Sequence, residues 1–215
     1  MRILVSGTSQ GIGKAIAERF LANGHEVFGV DRKPSSIFAT QYHHIQMDIR
    51  DEDLPEIADL GVIIASAGVD NEEEAIDINL LGTISFVERY LDSEKLKSVL
   101  FIASSSARNG AEFPFYSASK GGLVAYMKNL ALKLSGKGVT VNSISPGAVI
   151  TPMNERLIND KTLFQAIADE SLLGKWALPE EIAEWAYFLT LINLSMTGED
   201  LLIDNGEMLK SNFIH

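Results

Sequence analysis

The sequence predicts an α/β fold: a doubly wound Rossmann fold, with about seven parallel strands in one sheet and helices on both of its faces. Short runs that are apolar throughout alternate with longer segments whose apolar residues recur at helical spacing, a pattern typical of a parallel sheet covered on both sides. A glycine-rich segment, Gly7–Gly13, joins the first apolar run to the first helical one. No linker or repeat divides the chain, so we expect a single domain over 1–215.

The first half of the chain supplies four of the expected strands. Their apolar runs are Arg2–Ser6, Glu26–Val30, Ile45–Met47 and Gly61–Ala65. Apolar residues at helical spacing predict a helix over Gly11–Asn23, which Gly24 ends, and a second helix over Glu72–Leu91, whose acidic first turn suits the helix dipole. Leu54–Leu60 predicts at most a helix of two turns.

The second half continues the alternation. Three further strands are predicted, over Ser98–Ala103, Thr140–Ile144 and Asp200–Ile203. Tyr116–Ser135, rich in Ala, Leu and Lys, predicts a long helix, and Pro179–Ile192 predicts another that opens on Pro-Glu-Glu.

Composition and charge exclude several classes of function. The net charge of −11 disfavours nucleic acid and anionic membranes as partners. No apolar run is long enough for a membrane helix, and the chain enters a strand at once, so we expect no signal peptide and a cytoplasmic protein. The chain has no cysteine, and its histidines lie at no metal-ligand spacing with carboxylates. We therefore expect no metal site.

The glycine-rich segment has the form of a dinucleotide-binding turn between a strand and a helix. Gly7 permits a tight turn, while Gly11 and Gly13 allow the backbone to approach a phosphate and the helix to approach the sheet. A pyrophosphate can then lie at the helix N-terminus. The sequence therefore predicts a dinucleotide site at this turn.

Asp31, at the end of the second predicted strand, bears on which dinucleotide binds. Its carboxylate can accept hydrogen bonds from both hydroxyls of the adenosine ribose and would repel a 2′-phosphate, which favours NAD(H) over NADP(H). Arg32 and Lys33 follow directly and could soften that repulsion, and Gln10 supplies no cation in the glycine turn. NADP(H) remains the less favoured alternative.

Tyr116 and Lys120 carry the chemistry that the downstream half suggests. Their spacing places a phenol and an ammonium one helical turn apart on one face of the predicted helix. A nearby cation favours the phenolate and so lowers the pKa of the phenol. A dinucleotide site upstream and this pair downstream indicate hydride transfer coupled to proton transfer.

With these motifs in place, the chain resembles the short-chain dehydrogenase/reductase family, of the compact single-domain type. The resemblance runs from Arg2 to about Gly206. The matching segments follow in order: Gly7–Gly13, Asp48-Ile49, Ala65–Gly68, Asn79, Ser104, Tyr116 with Lys120, Pro146-Gly147, Thr151–Met153, Thr197-Gly198 and Asp204–Gly206.

The resemblance implies an oxidoreductase that interconverts a secondary alcohol and a ketone. Tyr116 would be the general acid in reduction and the general base in oxidation, and Lys120 would lower its pKa and bind the nicotinamide ribose. Ser104 would donate to the substrate oxygen, with Ser105 as the alternative in the serine run. Asn79 would hold, through its helix backbone, a water in a proton relay.

The resemblance also implies the cofactor site. Its residues would be Gly7, Ser9, Gln10, Gly11, Ile12, Gly13, Asp31, Arg32, Asp48, Ile49, Ala65, Ser66, Ala67, Gly68, Tyr116, Lys120, Pro146, Gly147, Val149 and Thr151. The Ala65–Gly68 segment lacks the two asparagines usual in the family, and we expect Ser66 to replace them in part. The stretch from Gly68 to Asn79 is shorter than in typical relatives.

Substrate and partners follow from the same resemblance. A compact apolar segment over 153–175 would form a lid, which suggests a small carbonyl or alcohol substrate with hydrocarbon character. A homodimer or homotetramer is expected. Two alternatives stay open: a 3-oxoacyl-acyl-carrier-protein reductase, which the acidic net charge mildly disfavours, and a non-catalytic dinucleotide-sensing protein.

Overall fold

A computed structural model describes residues 1–111 and 113–210. Within them, seven strands form one parallel sheet in the order β3-β2-β1-β4-β5-β6-β7. This confirms the predicted doubly wound fold. The strands are β1 (Arg2–Ser6), β2 (Glu26–Asp31), β3 (Tyr42–Gln46), β4 (Leu60–Ala65), β5 (Ser98–Ile102), β6 (Thr140–Pro146) and β7 (Asp200–Ile203).

Helices and short helical turns connect the strands. The α-helices are α1 (Gly11–Leu21), α2 (Thr83–Arg89), α3 (Ser106–Asn109), α4 (Pro114–Lys133), α5 (Glu155–Asn159), α6 (Lys161–Asp169) and α7 (Pro179–Tyr187). Two segments are π-helical, Ile76–Gly82 before α2 and Phe188–Ile192 after α7. Pro152–Asn154 and Glu207–Leu209 form single 3₁₀ turns. No helix among the described residues has the length and apolar character to cross a bilayer.

The core lies on both faces of the sheet. On one face, Phe20 of α1 and Ile182 of α7 pack against strand residues such as Ile3. On the other, Phe86 of α2 and Met127 of α4 pack against neighbours such as Ile63. All six side chains are fully or almost fully buried, so the central strands are covered on both sides, as their continuous apolar character predicted.

The sheet order positions the site. β1 pairs with β2 on one side and with β4 on the other, so the direction of winding reverses between β1 and β4. In open parallel sheets, ligands bind in the crevice beyond the carboxyl ends of the strands at such a reversal. The crevice here begins after Ser6 and Ala65, the last residues of the two strands.

One predicted element is wrong. Leu54–Leu60 forms no helix, because its carbonyl groups accept hydrogen bonds from distant side chains rather than from a helical turn. Arg89 donates to the Leu54 carbonyl and Tyr90 to the Pro55 carbonyl. Leu60 already belongs to β4, opposite Arg2 of β1.

Several boundaries also differ from the predictions. β3 begins at Tyr42, three residues before the predicted Ile45, because Tyr42 is buried opposite Val27 of β2. The helix predicted from Glu72 begins at Ile76, and the long helix predicted from Tyr116 begins at Pro114, whose fixed backbone angle suits a first helical turn. Three short helices, α3, α5 and α6, were not predicted.

Candidate active site

A cavity of about 370 Å³ opens at the carboxyl ends of the central strands. All but three of the site residues predicted from the sequence line it: Gly7, Gln10, Gly11, Ile12, Gly13, Asp31, Arg32, Asp48, Ile49, Ser66, Ala67, Gly68, Ser104, Tyr116, Lys120, Pro146, Gly147, Val149 and Thr151. Ser9, Ala65 and Asn79 are not among the lining residues. The fold therefore brings the two distant motifs to one cavity.

The glycine turn has a shape that only glycine permits. Gly7 has a φ of +77°, and a Cβ placed on it would lie 2.9 Å from the backbone of Ala67. A Cβ on Gly13 would lie 2.2 Å from the Gly7 carbonyl oxygen. The Gln10 side chain does not cap α1 and instead accepts a hydrogen bond from Lys33 Nζ at 3.1 Å. The first amides of α1 are thus available to an anion, so the turn fits a dinucleotide pyrophosphate.

Asp31 links the glycine turn to the loop after β2. One carboxylate oxygen accepts the Ser9 amide at 3.0 Å and the other accepts the Lys33 amide at 2.9 Å. Each oxygen keeps a lone pair for a further donor. The Ser9 amide therefore helps to hold Asp31, which lines the cavity where a ribose would lie.

Asp48 lies on the same side of the cavity and carries its own counterion. Its carboxylate accepts from Arg50 Nε at 2.9 Å and from the Arg50 terminal nitrogen at 2.8 Å. The Arg50 guanidinium therefore holds the pKa of Asp48 below its usual range. The Arg32 guanidinium lies 3.8 Å from the same carboxylate. These contacts fix the loop that carries Asp48 and Ile49.

Ser6 is a site residue that the sequence reasoning missed. Its buried hydroxyl oxygen accepts the amides of Ser66 at 3.1 Å and Ala67 at 3.0 Å. The segment that lacks the usual asparagines is therefore held by Ser6, through backbone amides, rather than by the expected Ser66 side chain. The signal in the sequence was a polar residue at the end of an otherwise apolar strand.

Asn79 is fully buried and holds the next part of the same loop. Its Oδ1 accepts the Val69 amide at 2.8 Å, and its Nδ2 donates to the Val69 carbonyl at 2.8 Å and to Ser119 Oγ at 3.3 Å. Ser119 Oγ in turn donates to the Tyr116 carbonyl at 2.7 Å. The Asn79 side chain thus joins the loop to α4. Its part in a proton relay remains a prediction.

Tyr116 and Lys120 lie one turn apart on α4, and both line the cavity. Lys120 Nζ lies 5.7 Å from the centroid of the Tyr116 ring and donates to the Ile102 carbonyl at 3.0 Å. The lysine side chain is buried, and this burial lowers its pKa from 10.5 to about 8. Near neutral pH the ammonium is therefore still the main form, close to the phenol.

Ser104 reaches the cavity, and its alternative Ser105 is not among the lining residues. Ser104 Oγ accepts the Ser106 hydroxyl at 2.9 Å and the Ser106 amide at 3.2 Å. Two accepted hydrogen bonds occupy both lone pairs of a hydroxyl and leave its proton to donate elsewhere. The Ser105 amide donates to the Pro146 carbonyl at 2.8 Å, which ties the serine run to the end of β6.

The opposite wall begins where β6 ends. The Gly147 amide donates to the Ile203 carbonyl at 3.0 Å, and a Cβ on Gly147 would lie 2.9 Å from Asp204. Thr151 closes the cavity above the glycine turn, since its methyl group would lie 3.4 Å from a Cβ on Gly11. Val149 is held by a bridge to Ala177.

The segment predicted as a lid contains α5 and α6 and places Met153 at the cavity. The Trp176 indole stacks on Phe164, with centroids 5.2 Å apart, and donates to its carbonyl at 2.9 Å. Trp176 is buried, whereas Leu172 and Leu173 are largely exposed. The lid segment is thus anchored by Trp176 and presents apolar side chains to solvent.

Comparisons with known proteins show what the chain as a whole is similar to. A family model described as "Enoyl-(Acyl carrier protein) reductase" matches residues 57–207. The chain is 30% identical to "Short-chain reductase protein NovJ" of Streptomyces niveus, over 94% of this chain and 92% of that protein.

Two solved structures share the fold along nearly the whole chain. A putative 2-deoxy-D-gluconate 3-dehydrogenase from Agrobacterium tumefaciens with bound NADP has a TM-score of 0.89 at 26% identity, covering 97% of this chain and 96% of that one. A 4-hydroxyisoleucine dehydrogenase mutant complexed with NADH and succinate has a TM-score of 0.84 at 25% identity, covering 99% and 100%.

Proposed function

The chain belongs to the short-chain dehydrogenase/reductase family, and from this we propose that it is an NAD(H)-dependent oxidoreductase acting on a secondary alcohol or ketone. The relatives support oxidoreduction with a nicotinamide dinucleotide as the cofactor. One observation carries the proposal for this chain. Tyr116, Lys120 and Ser104 line the same cavity as the glycine turn and Asp31.

The chain's own residues would hold the cofactor from one end of the cavity to the other. Gly7, Gly11 and Gly13 would receive the pyrophosphate at the start of α1, and Asp31 would accept the ribose hydroxyls. A nicotinamide ring bound there would supply or take up the hydride. Lys120 would bind the neighbouring ribose, because its ammonium lies beside Tyr116 at the other end of the cavity.

The proton moves through Tyr116. In reduction its hydroxyl gives a proton to the substrate oxygen, and in oxidation the phenolate takes that proton back. The Lys120 ammonium lies 5.7 Å from the centre of the Tyr116 ring, where it would stabilise the negative charge of the phenolate. Ser104, whose lone pairs accept from Ser106, donates its hydroxyl proton to the same substrate oxygen and stabilises negative charge that develops there.

The preference for NAD(H) rests on Asp31. A 2′-phosphate would meet its carboxylate, while the nearby cations already have partners, Arg32 at Asp48 and Lys33 at Gln10. We expect the Kd for NADH to be at least about tenfold lower than the Kd for NADPH. The Asp31→Ala substitution should bring the two Kd values closer together. Fluorescence titration measures both affinities, and tighter binding of NADPH to the parent protein would reject this assignment.

The catalytic assignment is tested by removing the phenolic hydroxyl. A screen of purified protein with NADH against ketones, 3-oxoacyl thioesters, quinones and steroids would identify a substrate. We expect Tyr116→Phe to lose nearly all turnover and keep its affinity for NADH. Tyr126→Phe is the matched control, because Tyr126 lies on the same helix and its hydroxyl donates to Glu88 instead. Turnover by Tyr116→Phe at the parent rate would refute the role of Tyr116.

A second candidate is reduction of a 3-oxoacyl group on an acyl carrier protein. The description of the matching family model, which names such a carrier, favours it, as do Leu172 and Leu173, exposed in the lid segment. Turnover confined to the 3-oxoacyl thioester in the same screen would select this candidate. Tight NADH binding with no turnover on any substrate would instead favour a dinucleotide-sensing protein. The homo-oligomer and the cytoplasmic location remain proposals.

A further inference from the structure

The N-terminus of α4, two residues before Tyr116, is closed by a side chain from elsewhere in the chain. Pro114 has no amide hydrogen, and the Ser117 amide donates to the Phe113 carbonyl at 2.8 Å. The two remaining amides of the first turn belong to Phe115 and Tyr116. They donate to the two carboxylate oxygens of Glu72, at 2.9 Å and 3.0 Å. Phe113, at the position where a capping side chain normally stands, cannot supply such an acceptor.

Glu72 comes from the loop that forms one wall of the cavity. This loop, residues 66–74, is held by Ser6 at its start and by Asn79 at Val69. Asn71 then forms a turn, in which its side chain accepts the Glu73 amide at 2.9 Å. The stretch between Gly68 and Asn79 is short, and the Glu72 carboxylate contacts the first turn of α4 directly.

We propose that Glu72 is a positioning residue that sets the place of Tyr116 relative to the cofactor wall of the cavity. The inference rests on the proposed function, in which Tyr116 transfers the proton. One of the two hydrogen bonds is made by the Tyr116 amide itself, so a shift of the first helical turn moves the phenol directly. Lys120 is held separately, one turn further on, by the Ile102 carbonyl. Loss of Glu72 therefore displaces Tyr116 more than Lys120.

The charge of Glu72 supports the same role. A carboxylate at the N-terminus of a helix interacts favourably with the helix dipole, and α4 has 20 residues. Glu73 is the matched control: it lies in the same turn, carries the same charge and is exposed, and its amide contact to Asn71 does not depend on its side chain.

The test compares Glu72→Ala, Glu72→Gln and Glu73→Ala with the parent protein. Residue-resolved amide exchange should show at least about tenfold faster exchange at Phe115 and Tyr116 in Glu72→Ala. We expect kcat to fall about 10- to 100-fold, because a small misplacement of a reacting group has effects of that size. The Kd for NADH should stay within about twofold of the parent value. Glu72→Gln, which keeps one acceptor oxygen, should be intermediate, and Glu73→Ala should match the parent.

The outcomes separate this inference from the proposed function. Tyr116→Phe with parent turnover would overturn the proposed function. Glu72→Ala with parent turnover, beside an inactive Tyr116→Phe, would overturn only the role of Glu72. A loss of turnover that parallels a loss of NADH affinity would also overturn it, because a merely structural role predicts that pattern. Should Glu72→Ala fail to fold, Glu72→Gln is judged by the same measurements, and unchanged exchange at Phe115 and Tyr116 would count against the inference.

Discussion

The buried ammonium of Lys120 makes the stability of the fold depend on pH in an unusual direction. Folding moves this side chain to a site where it is 5% exposed and where its pKa falls from 10.5 to about 8. Between these two values the unfolded chain binds the proton and the folded chain releases it. The unfolded state therefore holds more protons, and stability rises with pH in this window.

The size of the effect follows from the two pKa values. Burial of the lysine destabilises the fold by about 3 kcal/mol at pH 7 and by about 1 kcal/mol at pH 9.5. The free energy of unfolding should therefore rise by about 2 kcal/mol between these two pH values. Lys120→Met removes this contribution while nearly keeping the side-chain volume.

Denaturant unfolding at the two pH values measures this gain. We would compare Tyr116→Phe with Tyr116→Phe/Lys120→Met, so that the ionisable phenol beside Lys120 is absent from both proteins. Other titrating groups then cancel in the difference between the two proteins. Between pH 7 and pH 9.5, the free energy of unfolding of Tyr116→Phe should rise by about 2 kcal/mol relative to that of the double variant. An unchanged difference would show that Lys120 is not desolvated in the folded protein.

Two further predictions concern the loop between β4 and the following helix. Asn79→Ala leaves the Val69 amide and carbonyl without their partners and should lower the free energy of unfolding by about 2–4 kcal/mol, measured by denaturant unfolding; a loss below about 0.5 kcal/mol would contradict the contacts described. Ser6→Ala leaves the amides of Ser66 and Ala67 unpaired and should weaken NADH binding several-fold in a fluorescence titration, because Ala67 lines the cavity. Parent affinity in this variant would mean that the loop holds its shape without Ser6.

Features with a local signal could be predicted from the sequence. The central strands are continuous apolar runs, and Gly7 and Gly13 stand where a side chain would collide with backbone. The predicted start of β3 was three residues late because this strand does not begin with a continuous apolar run. It lies at the edge of the sheet, and its residues Tyr42, His43 and His44 carry polar groups that hide a strand from an apolar pattern.

Contacts between distant residues could not be predicted in this way. Ser6 and Ser66 are 60 residues apart, and Glu72 and Phe115 are 43 residues apart. No periodic pattern joins such pairs, because only the packing of the strands and α4 brings them together. The weak signals that were present, a serine at the end of an apolar strand and Pro114 at a helix start, mark single positions and not their partners.

The place of β1 in the sheet has a consequence for how the chain is made. β1 precedes both of its neighbours, with Arg2 opposite Glu26 on one side and Leu60 on the other. While the ribosome is still adding residues before β4, one edge of an apolar strand stays open to other nascent chains. Such non-local pairing also slows folding. Chaperone capture of stalled nascent chains should therefore decline once β4 has left the exit tunnel.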